Sequence, residues 1–195
     1  MAGDWDCPLT AMSKKAVVLL AEGFEEIEAV TPIDILRRAG VEVTIAGLGS
    51  LEVTGAKGIT LKADIELEKY KELPDAVILP GGSQGASNLG HSEAVRALLL
   101  RMNENQKIIA AICAAPAMTL VKPGILNGKT ATCYPGYEKN FTASTRFSEA
   151  RVVKDGRVIT SRGPGTALEF SLELVRQLVD EATAETILQK TLAKV

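Results

Sequence analysis

Cys113 ends an unbroken apolar run, Ile108-Ile-Ala-Ala-Ile112, and is followed at once by Ala114-Ala-Pro-Ala117. Such a run reads as a buried strand, and small residues with a proline read as the opening of a helix. A strand-to-helix elbow displays a nucleophile, because the sharp turn pushes the side chain clear of the backbone. The positive end of the helix behind it favours thiolate over thiol, so a low-pKa Cys113 is expected. Strained backbone is expected at the cysteine itself. The competing reading is a buried cysteine packed as a small hydrophobe.

Three further segments carry candidate chemistry. Glu22, Glu25, Glu26 and Glu28 follow the apolar run Ala16–Ala21. Acids at a helix start normally serve the macrodipole and solvation, which accounts for Glu25 and Glu26. A carboxyl group turned into the site would be desolvated, and its raised pKa would let it shuttle a proton. Spacing alone leaves Glu28 and Glu25 both open. Pro80-Gly81-Gly82 is either a strand-ending turn or a bare backbone whose Gly82 amide joins that of Ala114 to face an oxyanion. Ser161-Arg162-Gly163-Pro164-Gly165-Thr166 is either punctuation or a means of bringing Arg162 to the mouth of a pocket. Gly163-x-Gly165 is too short for a phosphate loop. His91, the single histidine, lies in Asn88–Glu93, which reads as a loop capping a helix, with a surface role.

The elements that must position these groups alternate between strand and helix. Ala16–Ala21 is apolar throughout, as expected of a strand covered on both faces. A helix over Glu25–Ala39 follows, closed by Gly40, with Pro32 expected to kink or break it. Strands are expected at Val41–Ala46, Asp75–Leu79 and Lys107–Ile112, with a small hairpin over Ser50–Leu61 and a short strand at Gly128–Thr132. Helices are expected at Glu93–Asn103, Cys113–Val121, Thr166–Val179 and Ala182–Leu192. Arg151–Lys154 and Arg157–Thr160, joined by Asp155-Gly156, carry a strong hairpin signal. The β-α-β alternation implies right-handed crossovers and a flavodoxin-like three-layer α/β/α sandwich with a mostly parallel sheet. Three loops, Ala21–Glu28, Leu79–Gly85 and the elbow at Cys113, then stand at carboxyl ends of strands, where open α/β sheets place their sites.

The whole chain bounds the function. Its 195 residues suit one domain over 13–195 preceded by a loose extension, 1–12, that lacks the form of a signal peptide. A net charge of −2 and the absence of a Lys/Arg block argue against nucleic acid as partner. No apolar run approaches the length of a membrane span. Cys7, Cys113 and Cys133 are an odd number without a zinc spacing, and with one histidine no metal site is expected. This cysteine usage suits a reducing compartment, the cytoplasm.

Taken together, Glu22–Glu28, Arg37–Gly47, Leu79–Ala86, Ile109–Pro116, Lys154-Asp-Gly156 and Ile159–Thr166 resemble the ThiJ/PfpI superfamily, in the branch of the Parkinson-disease protein deglycase. The resemblance covers nearly everything from Ser13 onward. It implies a homodimer in which Cys113 is the nucleophile and Glu28 the acid that shares its proton. It also implies oxyanion donors at Gly82 and Ala114, with Ser83, Arg162 and Pro164 near the pocket. Members are similar to glyoxalases or deglycases acting on methylglyoxal and its early adducts with amines, without added cofactor. They are also described as oxidative-stress sensors and chaperones. One departure bears on mechanism. The protease-like branch has histidine after the cysteine, where Ala114 stands here, and no histidine lies near Cys133-Tyr134-Pro135. Peptidase and amidotransferase chemistry, which needs an imidazole base, is therefore not expected.

Overall fold

The computed structural model describes residues 13–194, so the expected extension and Cys7 lie outside the described residues. In chain order the strands are β1 (Lys15–Leu20), β2 (Glu42–Gly47), β3 (Glu52–Thr54), β4 (Thr60–Lys62), β5 (Ile65–Glu66), β6 (Ala76–Leu79), β7 (Ile108–Ile112), β8 (Thr130–Ala131), β9 (Arg146–Phe147), β10 (Val152–Asp155) and β11 (Val158–Ser161). The α-helices are α1 (Glu26–Arg38), α2 (Ser83–His91), α3 (Glu93–Glu104), α4 (Ala167–Leu178) and α5 (Glu181–Lys190).

The central sheet runs β10-β11-β7-β6-β1-β2-β5. Every pairing in it is parallel except β10 with β11, the hairpin expected at Asp155-Gly156. Strand order reverses between β1 and β6, which is where open α/β sheets form a crevice beyond the carboxyl ends of their strands. Because strand side chains alternate, β1 feeds two cores. Val18 and Leu20 pack with Leu36 of α1 and Phe170 and Leu174 of α4, whereas Val17 and Leu19 pack with Leu89 of α2 and Leu99 and Met102 of α3. The mixed α/β, mostly parallel architecture is the one expected.

Three local expectations are corrected, and one helix is added. Pro32 does not break α1, whose buried Ala29, Ile33 and Leu36 hold the helix against the sheet on both sides of it. The segment after Cys113 is not an α-helix: it passes through turns into a π-helix over Pro116–Leu120. There Thr119 donates to the Ala86 carbonyl at 2.9 Å, and Gly90 lies so close that an added Cβ would stand 2.3 Å from the Met118 oxygen. His91 is the last residue of α2, not part of a loop, and its Nδ1 lies 2.7 Å from the Ser87 carbonyl. Helix α2 carried no apolar period strong enough to announce it, since Gly85 and Gly90 fall within Ser83–His91.

Candidate active site

Three strand ends converge. Cys113 leaves β7 with φ of 65°, the left-handed conformation that side-chain-bearing residues rarely adopt. Its backbone is pinned there: the amide donates to the Ser161 carbonyl at 2.9 Å, and its own carbonyl accepts from Tyr134 at 2.8 Å. The expected strain is present, held by β11 on one side and the Tyr134 turn on the other.

Glu28, in the first turn of α1, is fully buried. Its Oε2 accepts from the Gly81 amide at 2.8 Å, while Oε1 is buried without a hydrogen-bond donor of ordinary geometry. Burial lifts the carboxyl pKa to about 7 against the opposing pull of the Gly81 amide and the Cys113 thiol, with the Glu25 charge adding to the rise. One oxygen is thus anchored, and the other keeps a lone pair open to a proton. The structure thereby distinguishes the two glutamates, because Glu25 sits at the rim of the cleft.

A side chain at residue 81 is forbidden. A Cβ there would stand 2.6 Å from Glu28 Oε2 and 2.7 Å from Cys113 Cβ. Gly82 has φ of 83°, and its amide and that of Ala114 stand close enough to the Cys113 sulfur to favour its anion.

The low-pKa thiolate expected from the elbow is corrected. Burial, then the Glu28 charge and its hydrogen bond with the thiol, push Cys113 up to about 12, outweighing the Gly82 and Ala114 amides. The elbow does not open a regular α-helix, and a carboxyl group faces the thiol where a cation would be needed. The Cys113 thiol thus lies beside a carboxyl group whose pKa burial lifts to about 7.

The cleft over Cys113 has a volume of about 610 Å³ and is lined by Ser83, Tyr134, Tyr137 and Pro164 together with Glu25 and Lys57. Ser83 Oγ lies 2.6 Å from Tyr137 Oη, and the two tyrosine rings meet edge to face with centroids 6.3 Å apart. Sequence reasoning missed Tyr137 and Lys57, because nothing in their neighbourhoods ties them to the elbow. It also assigned Glu26 to solvation, whereas Glu26 is buried and its Oε1 accepts the Lys57 amide at 2.6 Å, fixing the β3–β4 hairpin as a wall of the cleft.

Arg162 does not line the cleft. Its guanidinium sits 5.8 Å from the Phe147 ring centroid, with Nη1 buried and unpaired. The turn aims it towards β9 and the buried Cys133, whose thiol it draws down against burial and the Glu138 charge. Cys133 is raised to about 12 and packs as a hydrophobe. His91 does not reach the site. A groove of about 300 Å³ lined by Arg38, Thr183 and Lys190 lies apart from Cys113 and contains no cysteine. Among the described residues no trio of His, Cys, Asp or Glu stands close enough to hold a metal ion, and no helix is long and apolar enough to cross a membrane.

A cysteine on a strained elbow at the carboxyl end of a mostly parallel sheet, facing a buried carboxyl group, marks the site of a flavodoxin-like α/β protein. The chain belongs to the DJ-1/PfpI family, whose model matches residues 14–177. It is 45% identical over 179 residues to the Parkinson disease protein 7 homolog of Danio rerio, covering 89% of this chain and 94% of that protein. It is 35% identical over 181 residues to the glutathione-independent glyoxalase DJR-1.2 of Caenorhabditis elegans, covering 92% of this chain and 96% of that protein. The crystal structure of Drosophila melanogaster DJ-1beta superposes with a TM-score of 0.90 at 39% identity, covering 94% of this chain and all of the other.

Proposed function

We propose that the protein is a cofactor-independent glyoxalase, with deglycase activity on early glycation adducts, that converts methylglyoxal to lactate and protects against carbonyl and oxidative stress in the cytoplasm. The observation that carries this reading is the buried Glu28 carboxyl group, titrating near 7 with one unpaired oxygen, against the Cys113 thiol. Glu28 takes the thiol proton as sulfur attacks the aldehyde carbon, and the resulting oxyanion faces the Gly82 and Ala114 amides. Protonation of that oxygen gives a hemithioacetal. Glu28 then removes the proton from the former aldehyde carbon, an enediol forms, and a proton returns to the neighbouring carbon. The product is a thioester of lactate on Cys113, which water hydrolyses to lactate and free thiol. One carboxyl group serves each transfer in turn, so no imidazole is needed. The hydroxyl pair of Ser83 and Tyr137 is suited to hold the second carbonyl oxygen of a 2-oxoaldehyde across the cleft. The similarity to a protein named a glutathione-independent glyoxalase supports the same reading. Lactate formation by purified protein, measured by NMR, tests it. Absence of lactate, or full activity in Cys113→Ala, overturns it.

A homodimer is part of this proposal, with α1 at its interface, since Ile27 and Val30 on that helix are 53% and 45% exposed. A second reading is a redox-switched chaperone. The Gly82 and Ala114 amides favour an anion at the sulfur and Glu28 can donate a proton, a setting that would stabilise a sulfinate formed when two equivalents of peroxide oxidise Cys113. Intact mass after mild peroxide, read beside turnover, separates the two: a two-oxygen gain without turnover favours the switch.

A further inference from the structure

At the opposite end of β7 from Cys113 the fold gathers a basic cleft of about 400 Å³. Lys107, Lys129, Lys154 and Arg157 line it together with the carboxamides of Asn103 and Gln177, and no Asp or Glu is among its lining residues. These groups come from four separate stretches of chain, which is why no basic block is visible in the sequence. Lys107 pairs with Asp75 at 2.9 Å, and Lys129 lies 3.9 Å from one oxygen of Asp155, whose other oxygen accepts the Thr130 amide. The Lys154 ammonium and the Arg157 guanidinium make no ion pair or hydrogen bond among the described residues. Four cations therefore face two carboxylates, a local excess of positive charge on a chain whose net charge is −2.

We propose that this cleft binds the phosphate chain of a small polyphosphate-bearing molecule. The unpaired Lys154 and Arg157 at this concavity supply charge-assisted donors to phosphate oxygens, and the Asn103 carboxamide adds a neutral one, while the Gln177 amide is held by Glu173. The lining contains no aromatic side chain, and its only branched apolar residues are Ile109 and Val158. A nucleobase thus has nothing to stack on, and single-stranded nucleic acid, which needs stacking platforms along a basic groove, is disfavoured. Recognition falls on the phosphates. The cleft lies at the amino end of β7 and β11, a strand length of roughly 16 Å from the elbow at about 3.3 Å per residue, so its occupant does not touch Cys113.

Isothermal titration of the full chain with sodium tripolyphosphate, ATP and adenosine tests the assignment. Tripolyphosphate and ATP are expected to bind with matching affinity that weakens as salt screens the charges, and adenosine not to bind. Equal affinities assign recognition to the phosphate chain alone, whereas tighter binding of ATP would overturn the exclusion of the base. Lys154→Glu with Arg157→Glu is expected to weaken tripolyphosphate binding at least about tenfold without changing the melting temperature. Lys62→Glu with Lys122→Glu, an equal change of charge elsewhere, is expected to leave binding intact. The proposal fails if tripolyphosphate gives no heat at low salt, if the two double variants weaken binding equally, or if a single-stranded oligonucleotide binds more tightly than ATP.

Discussion

Replacing Glu28 with glutamine should stabilise the protein, and by an amount that depends on pH. Burial lifts the folded-state pKa of Glu28 from 4.5 to about 7, so the folded chain holds this proton longer than the unfolded chain does. Well below pH 4.5 both states are protonated and the carboxyl group costs nothing. Between 4.5 and about 7 only the unfolded chain ionises, and stability falls as pH rises. Above about 7 the full penalty is present. Raising the pKa from 4.5 to about 7 corresponds to about 3 kcal/mol. The substituted carboxamide carries no charge, and its carbonyl oxygen can still accept from Gly81. Glu28→Gln should therefore match the wild type near pH 4 and exceed it by about 3 kcal/mol near pH 8, a rise in melting temperature of about 6–12 °C for a chain of this size. Urea unfolding of both proteins across this range measures the difference. A difference that stays constant from acid to neutral pH would refute the claim that Glu28 is held neutral by burial.

The same titration should appear in catalysis: kcat/KM for methylglyoxal should fall as pH drops through about 7, because the base is then protonated, and a pH–rate profile checks this limb. Gly81→Ala should lose about 1–3 kcal/mol in denaturant unfolding and nearly all turnover, since its methyl group meets both the carboxylate and Cys113. Cys113→Gly should be more stable than Cys113→Ala by about 1 kcal/mol in the same assay, because only glycine adopts φ of 65° without strain. Ile27→Glu with Val30→Glu should convert the proposed dimer to monomer in sedimentation, with the monomer still folded by circular dichroism.

Much of the frame was legible because buried parallel strands are written as apolar runs. Ala16–Ala21, Asp75–Leu79 and Lys107–Ile112 each announced a strand, and the loops after them marked the crevice. The elbow and its strain followed from the abrupt change at Cys113. What stayed hidden depends on tertiary distance. Glu26 and Glu28 are two residues apart in one helix, yet one clasps the β3–β4 hairpin and the other meets the sulfur. Local pattern also misjudged electrostatics at the elbow, because the effect of a helix end on Cys113 is outweighed by burial and by a carboxyl group from another segment. Arg162 looked like a pocket residue from its glycine-rich turn, but the turn aims it at Phe147. The basic cleft was equally invisible, its cations being dispersed along the chain.

The proposed chemistry turns on a carboxyl group serving as the base for a cysteine whose thiol proton it takes during attack. Its most direct test is the rate of lactate formation by Glu28→Gln with Cys113 intact. A fall of about 100-fold or more is predicted, the size expected for loss of a positioned base, with Cys113 still alkylated by iodoacetamide. Turnover within a few-fold of wild type would contradict it.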